Sequence, residues 1–318
     1  MSEHVVDGQL HGLTAERLCA ALEWRLYQIR KVIVERKLAR QIKSIEPILS
    51  DPRPSSYYDS EELFEKLQAA YSPRLPYGYD VYKTWERAAK RAAVILAIPE
   101  LREPGKRVLE VAAGDGMTGK LLADYGHDVT LCDVEDWRNQ RAKSLPFISC
   151  DVCDEMPLDD ASFDLIYSYN AMEHFTDPLS AFHSIERLAR HQATVILDFG
   201  PLYCSPWGLH AYRALRMPYP QYLFSHGFIE QKVRELGIYD LGREMIELQH
   251  LNKWKLREFQ ELWRSSCFKI LSETVTHDSA HLDLVQHFPQ AFRGRDLTPI
   301  DLVAQGICVF LRKIGLLE

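Results

Sequence analysis

Between residues 107 and 199 the apolar positions fall into short continuous runs separated by segments of helical period. The runs are Arg107–Ala112, Asp128–Asp133, Phe147–Val152, Phe163–Tyr169 and Ala193–Phe199. Runs of this length, apolar on both faces and rich in Val, Ile and Leu, predict buried parallel strands. The segments between them include GKLLADYG after the first run and Pro178–His191 after the fourth, and both read as helices. Strands alternating with helices predict an α/β fold with a doubly wound, mostly parallel sheet, and right-handed crossovers place helices on both faces. Two later apolar runs, Phe268–Thr276 and Ile307–Lys313, predict an antiparallel pair at the sheet edge, with His277–Asp301 as a long connecting loop.

The flanking segments follow other rules. Thr14–Ser44 carries Leu18, Leu22, Leu26, Ile29 and Ile33 at helical spacing, which predicts a long amphipathic helix. Its Glu residues dilute the basic face, so a packing helix is favoured over a membrane-surface or nucleic-acid arm, and dimerisation through it is left open. After the Pro/Ser break at Asp51–Tyr58 come a short helix, Glu61–Ala70, and a Pro/Gly/Tyr-rich stretch, Tyr71–Tyr82. That stretch reads as a linker or a lid, with Tyr77 or Tyr79 reaching ligand in the second case. Lys83–Ala97 is a helix leading into the first strand. Residues 1–82 are therefore taken as a helical extension and 83–318 as the main domain. Gly200–Gly242 is dense in Pro, Gly, Tyr and Trp, too apolar for a solvated loop and too broken for one helix. It predicts a substrate-facing cap inserted at about 200–250, with Tyr203, Trp207 and His226 as acceptor contacts. Leu256–Ser266 is a further helix.

The chemistry gathers at the first strand and its turn, RVLEVAAGDGMTG. Gly114–Gly119 spells G-x-G-x-x-G, and Asp133 follows at about the ~20-residue distance of a dinucleotide site. The charges argue otherwise. A pyrophosphate wants a neutral turn rich in donors, whereas Glu110 and Asp115 put two carboxylates there. These acids suit a ligand with an ammonium, a ribose and no phosphate, which describes S-adenosylmethionine. Composition is ordinary for a soluble globular protein: 46% hydrophobic, 26% charged, net charge −7. That balance disfavours a general nucleic-acid binder. No apolar run is long enough to span a bilayer, and the first ten residues lack the basic start and apolar core of a leader. Seven scattered cysteines fit reduced thiols in a cytoplasmic protein. Cys150–Cys153 has no partner pair and is read as strand-end thiols, not as a zinc or redox motif.

VLEVAAGDG at 108–116, TLCDVED at 130–136, ISCDVCDEMPLDDASFDLIYSYNAMEHFTDP at 148–178 and the late strands together resemble the class I S-adenosylmethionine-dependent methyltransferases, in the small-molecule group that includes ubiquinone-biosynthesis enzymes. The resemblance runs from about Trp85 to Lys313. It implies a Rossmann-like sheet of seven strands with the last antiparallel, and S-adenosyl-L-methionine as cofactor. It also assigns roles by position. Glu110 would fix the methionine amino end, and Gly114 and Gly116 would leave room for the ligand. Asp133, with Val134 beside it, would take the ribose hydroxyls. Asp151 and the Val152 N–H would hold the adenine, and Asn170 would face the methionine portion or the acceptor. Two departures stand out. Ala112 replaces the first glycine of Glu-x-Gly-x-Gly-x-Gly, where φ > 0 is less comfortable. Arg190-His191-Gln192 replaces the usual Pro-Gly-Gly turn before the fifth strand.

Methyl transfer from a sulfonium is an in-line displacement that needs an aligned acceptor and a dry site. A hydroxyl acceptor also needs its proton removed, and histidine is the usual base. His174 in NAMEHF and His210 in SPWGLH are the candidates. The cluster HDSAHLD, His277 to Asp283, has metal-ligand residue types but reads as an exposed polar loop, so no metal is assigned. The expected function is O-methylation of a small molecule, such as a glycan unit or natural product, with no nucleic-acid partner. The rivals are an NAD-dependent oxidoreductase and a non-catalytic binding module of the same fold.

Overall fold

A computed structural model describes residues 36, 38–73, 80–238 and 248–315. The predicted helix at Thr14–Ser44 lies mostly outside these residues; its continuation is helical over 38–49 and is labelled α1. Then follow α2 (Glu61–Ala70), α3 (Val81–Leu96), β1 (Arg107–Val111), α4 (Met117–Tyr125), β2 (Asp128–Asp133), β3 (Phe147–Ser149), β4 (Phe163–Tyr169), α5 (Pro178–Leu188) and β5 (Ala189–Phe199). The C-terminal part has α6 (Pro220–Leu223), α7 (His226–Leu236), α8 (Leu256–Arg264), β6 (Phe268–His277), α9 (Asp283–His287), α10 (Pro289–Phe292), α11 (Pro299–Val303) and β7 (Ala304–Lys313).

The seven strands form one sheet in the order β3-β2-β1-β4-β5-β7-β6. The pairs among β1 to β5 are parallel, whereas β7 runs antiparallel to both β5 and β6. Strand order reverses between β1 and β4. At such a switch point the connections leave the sheet to opposite sides and open a crevice beyond the strands' carboxyl ends. The sheet buries both faces, as an apolar parallel sheet must. One face packs α5 and α8 through Phe182, Ile185, Phe259 and Trp263; the other packs α3 and α4 through Ile95 and Leu122.

A second core lies away from the sheet. Ile45 and Leu49 of α1, Phe64 and Leu67 of α2, the cap from Leu209 to Val233, and Leu282 to Val303 bury their apolar side chains together. The described N-terminal helices α1 and α2 thus share one core with the cap. Polar ties reinforce the join. The Gln68 side chain donates to the Ala214 carbonyl at 2.8 Å and accepts from the Arg216 N–H at 2.6 Å, while Asp59 accepts from the Ser225 N–H at 2.8 Å. The stretch expected as a loop between the late strands is folded as α9, α10 and α11, because Leu284, Val285, Phe292, Leu302 and Val303 have this core to enter.

Phe292 is fully buried between Tyr219 and Tyr222, with ring centroids 5.4 Å from each. Truncating such a ring removes its transfer free energy and leaves a cavity. Phe292→Ala should therefore lower the unfolding free energy by about 3–5 kcal/mol, read as a lower urea midpoint.

Candidate active site

The crevice at the carboxyl ends of β1, β2 and β4 contains a cavity of about 570 Å³. Ten of the residues singled out from sequence line it: Glu110, Ala112, Gly114, Asp133, Val134, Asp151, Val152, Asn170, His174 and His210. They arrive from five successive strand ends, which explains why spacing along the chain located them.

The turn after β1 is shaped by its acids. Gly119 N–H donates to Glu110 Oε2 at 3.0 Å, Met117 N–H to Asp115 Oδ1 at 3.0 Å, and Gly114 N–H to Asp133 Oδ2 at 2.9 Å. The donors that a diphosphate would use at a helix N-terminus are already occupied by carboxylates. The two acids near the turn are not bare, however. Asp115 is ion-paired with Arg87 at 2.8 Å, and the Arg91 guanidinium stands 4.2 Å from the Tyr169 ring inside the same cavity. Charge repulsion alone is therefore not what excludes a pyrophosphate; the spent N–H groups are.

The strand-end acids are held by backbone N–H groups beside open space. Asp133 accepts two backbone N–H groups, one per oxygen, from Gly114 and from Val134 at 2.8 Å. A carboxylate has about four acceptor positions, so these two bonds orient the group without using its whole capacity. Asp151 is held by the Cys153 N–H at 2.9 Å. A side chain at Gly114 would have nothing within 4 Å, so the backbone there is open to a ligand. Gly116 has a different task. A Cβ there would stand 2.8 Å from Leu131, and its φ of 64° begins α4, so it serves packing and does not line the cavity. Ala112 takes φ 54° and Asn170 φ 52°.

The acceptor end is built by the loop after β4 and the segment after β5. His174 Nδ1 lies 2.8 Å from the His250 carbonyl, and His210 Nε2 lies 2.7 Å from that of Pro201. Their rings meet edge to face at 4.8 Å. Burial holds the His210 imidazole down to about 3, with His174 beside it adding to the effect, so His210 stays neutral at ordinary pH and is a poor proton acceptor. Glu173 sits next to them, fully buried, and burial pushes its carboxyl up to about 7.

Three acceptor contacts expected from sequence are elsewhere. Trp207 is buried and donates from Nε1 to Asp278 at 3.2 Å; Tyr203 packs on the second core; His226 begins α7 on the exposed surface, near Glu230. The aromatic character of Trp207 and Tyr203 reflects the cap's own packing, whereas the His226 imidazole faces solvent. Tyr77 and Tyr79 lie outside the described residues. Asp278 is drawn to Trp207, which removes it from the HDSAHLD cluster. Sequence reasoning missed Arg87 and Arg91, although their i, i+4 spacing just ahead of β1 puts both on one helix face. It also missed Glu173, Tyr212 and His250. The close thiol pair is Cys132 and Cys150, with sulfurs 3.2 Å apart, not Cys150 and Cys153.

The comparisons with known proteins bear on the same part of the chain. Residues 109–197 match the family model described as a methyltransferase domain. Over 103 residues the chain is 29% identical to tRNA 5-carboxymethoxyuridine methyltransferase of Escherichia coli, covering 29% of this chain and 40% of that protein. Over 91 residues it is 31% identical to demethylmenaquinone methyltransferase of Beutenbergia cavernae, covering 27% and 38%. A solved structure of an S-adenosylmethionine-dependent methyltransferase from Mesorhizobium loti covers 72% of this chain and 99% of its own, at 17% identity and a TM-score of 0.45. By its sheet order and this match, the chain carries a class I S-adenosylmethionine-dependent methyltransferase domain. It spans about two fifths of the length of the curated relatives it matches.

Two predictions follow from the turn. Burial raises the Glu110 carboxyl from 4.5 to about 8, against the opposing pull of Tyr167 and Arg91. Between those values the folded protein keeps a proton that the unfolded chain has released, so stability falls as pH rises from about 5 to 8. Glu173 acts in the same sense. In the ligand-free protein the melting temperature should drop over this range, and Glu110→Gln should flatten the drop; an unchanged slope would falsify the assignment. Ala112 pays a steric penalty for its left-handed φ, about 1–2 kcal/mol for a non-glycine residue. Ala112→Gly should thus raise stability by up to about 1 kcal/mol, net of the added chain entropy, in thermal or urea unfolding.

Proposed function

We propose that this protein transfers the methyl group of S-adenosylmethionine to a hydroxyl of a small, polar acceptor. One observation carries the reading: a single cavity runs from the acids of β1, β2 and β3 to the buried Glu173 and His210 and the half-buried His174. When bound, the cofactor supplies a methyl group already activated by positive sulfur. The chain's own residues do the rest. Glu110 and Arg91 bear on the charged methionine end, Asp133 on the ribose and Asp151 on the adenine. The segment after β5 contributes Gly200, His210 and Tyr212 to the acceptor wall of the cavity. Asn170, Tyr212 and His250 give that end hydrogen-bonding walls, which suit an oxygen-rich acceptor such as a sugar unit or a natural-product hydroxyl.

The two curated relatives act on a tRNA uridine and on a menaquinone precursor by their names. The family match ends at residue 197, before the cap begins, so it carries nothing about the acceptor. A small molecule is favoured by the net charge of −7, which gives no general attraction for phosphate backbones. Among the described residues no helix is long and apolar enough to cross a membrane. The dinucleotide alternative is opposed by the carboxylates on the turn's N–H groups.

The test is calorimetry with S-adenosylhomocysteine and NAD, followed by mass-shift screening of hydroxylated acceptors for the gain of one methyl group. S-adenosylhomocysteine should bind, and Asp133→Asn should weaken it by roughly 10-fold to 100-fold through the lost charge on the ribose hydroxyls. Tight NAD binding without S-adenosylhomocysteine binding would overturn the reading.

A further inference from the structure

Glu173, His174 and His210 each offer one ligand atom, and these atoms all lie within 4.8 Å of one another. Glu173 and His210 are buried, and His174 is half-buried. All three border the cavity. The group is made of the residue types that hold first-row divalent ions, two imidazoles and a carboxylate.

Each of the three is oriented from behind. His174 Nδ1 faces the His250 carbonyl at 2.8 Å, and His210 Nε2 faces the Pro201 carbonyl at 2.7 Å. A carbonyl can only accept, so those nitrogens carry the protons and each ring's other nitrogen carries a lone pair. A backbone carbonyl on the far nitrogen is the usual support of a metal-binding histidine. Glu173 Oε1 is fixed by the Gly200 N–H at 3.1 Å. Its other oxygen, Oε2, is buried without a hydrogen-bond partner. An orphaned carboxylate oxygen in a side chain 3% exposed costs free energy unless something positive meets it. The Asp198 carboxylate nearby adds further negative potential and does not relieve it. The distance from Glu173 Oε1 to His174 Nε2 is 3.9 Å, beyond a hydrogen bond.

We infer that Glu173, His174 and His210 bind a divalent transition-metal ion in the acceptor pocket, and that its open positions receive the acceptor's hydroxyl together with a neighbouring oxygen. The inference rests on the methyl-transfer reading above for the identity of the pocket, and it narrows the acceptor class to compounds with two adjacent oxygens, such as vicinal diols or catechols. It also changes the role of the histidines from proton acceptors to ligands, in line with the neutral, buried state of His210. Coordination acidifies the hydroxyl, and its proton passes to water. The oxygen-to-carbon bond then forms as the carbon–sulfur bond breaks, with that electron pair passing to sulfur to leave a neutral thioether.

The test uses the full-length protein, stripped with EDTA and titrated separately with Co2+, Zn2+ and Mn2+. One saturable site per chain is expected, with Co2+ absorption bands typical of nitrogen and oxygen ligation. Glu173→Gln and His210→Gln should each weaken binding at least 10-fold while S-adenosylhomocysteine still binds, since Asp133 and Asp151 are untouched. Histidine side-chain NMR of the wild-type protein supplies a readout that needs no variant: two of the twelve imidazoles should respond to one equivalent of Zn2+. Absence of saturable binding of any of the three ions, binding unaltered in variants that retain S-adenosylhomocysteine, or no responding imidazole would each overturn the metal site. Methyl transfer that persists in EDTA would remove the metal and leave the proposed function standing. Metal binding without S-adenosylhomocysteine binding would do the reverse.

Discussion

The cofactor end of this molecule depends on carboxylates spent on backbone N–H groups. Three acids, Glu110, Asp115 and Asp133, each accept an N–H from the stretch between Gly114 and Gly119. A tight turn joining a strand to a helix has more donors than its own carbonyls can satisfy. Supplying acids from the chain itself fixes the turn and sets the sign of the field above it. It also decides what the crevice can take. A phosphate would have to displace these acids, whereas a ligand with an ammonium and hydroxyls meets oxygen acceptors already in place. Arg87 and Arg91 keep the cluster from accumulating uncompensated charge. One set of hydrogen bonds thus holds the turn, starts α4 and selects the ligand.

The acceptor end depends on the opposite circumstance. There Glu173 is buried with one oxygen unpartnered and its carboxyl pushed up to about 7. Nothing in the fold of the sheet calls for a carboxylate at that position, since neighbouring Met172 and Phe175 show that the loop can bury apolar side chains. A polar group kept at a cost inside a cavity points to work done in that cavity. The two ends therefore differ in kind: acids hydrogen-bonded to the backbone of the turn at one end, and an acid with a buried unpartnered oxygen beside two imidazoles at the other.

How far the sequence disclosed this follows from how local each signal is. The parallel strands were legible because burial on both faces makes them continuous apolar runs, and β2 and β4 match their predicted limits residue for residue. Of the acids that line the cavity, Glu110, Asp133 and Asp151 were legible because each stands at or just past a strand end. The cap was legible as an insertion, but its side chains were not. Trp207, Tyr203 and His226 are chemically as suited to a site as His210 is; only the packing of α1, α2 and α9 to α11 against the cap decides which of them face inward. Glu173 gave no signal beyond its place beside His174, because its significance lies in burial. Likewise α9 to α11 are stabilised by a core formed from segments more than two hundred residues apart, which no window of sequence can register.

The two departures from the family pattern can be read in the same physical terms. Ala112 and Gln192 stand where glycines are usual, and both adopt left-handed backbone, with φ of 54° and 65°. The backbone conformation has been kept although the residue best suited to it has gone. At Ala112 the reason is geometric. The next residue, Ala113, must present its N–H to the Cys132 carbonyl at 3.0 Å, which ties the turn to β2 and so to Asp133. Relaxing φ at Ala112 would swing that N–H away and carry Gly114 with it, breaking the bond that orients Asp133. A strain of about 1–2 kcal/mol at one residue is thus maintained by two hydrogen bonds, each contributing of order 1 kcal/mol and more where a carboxylate is the acceptor. The balance is close, and it concentrates the least comfortable backbone of the first turn against the cavity wall.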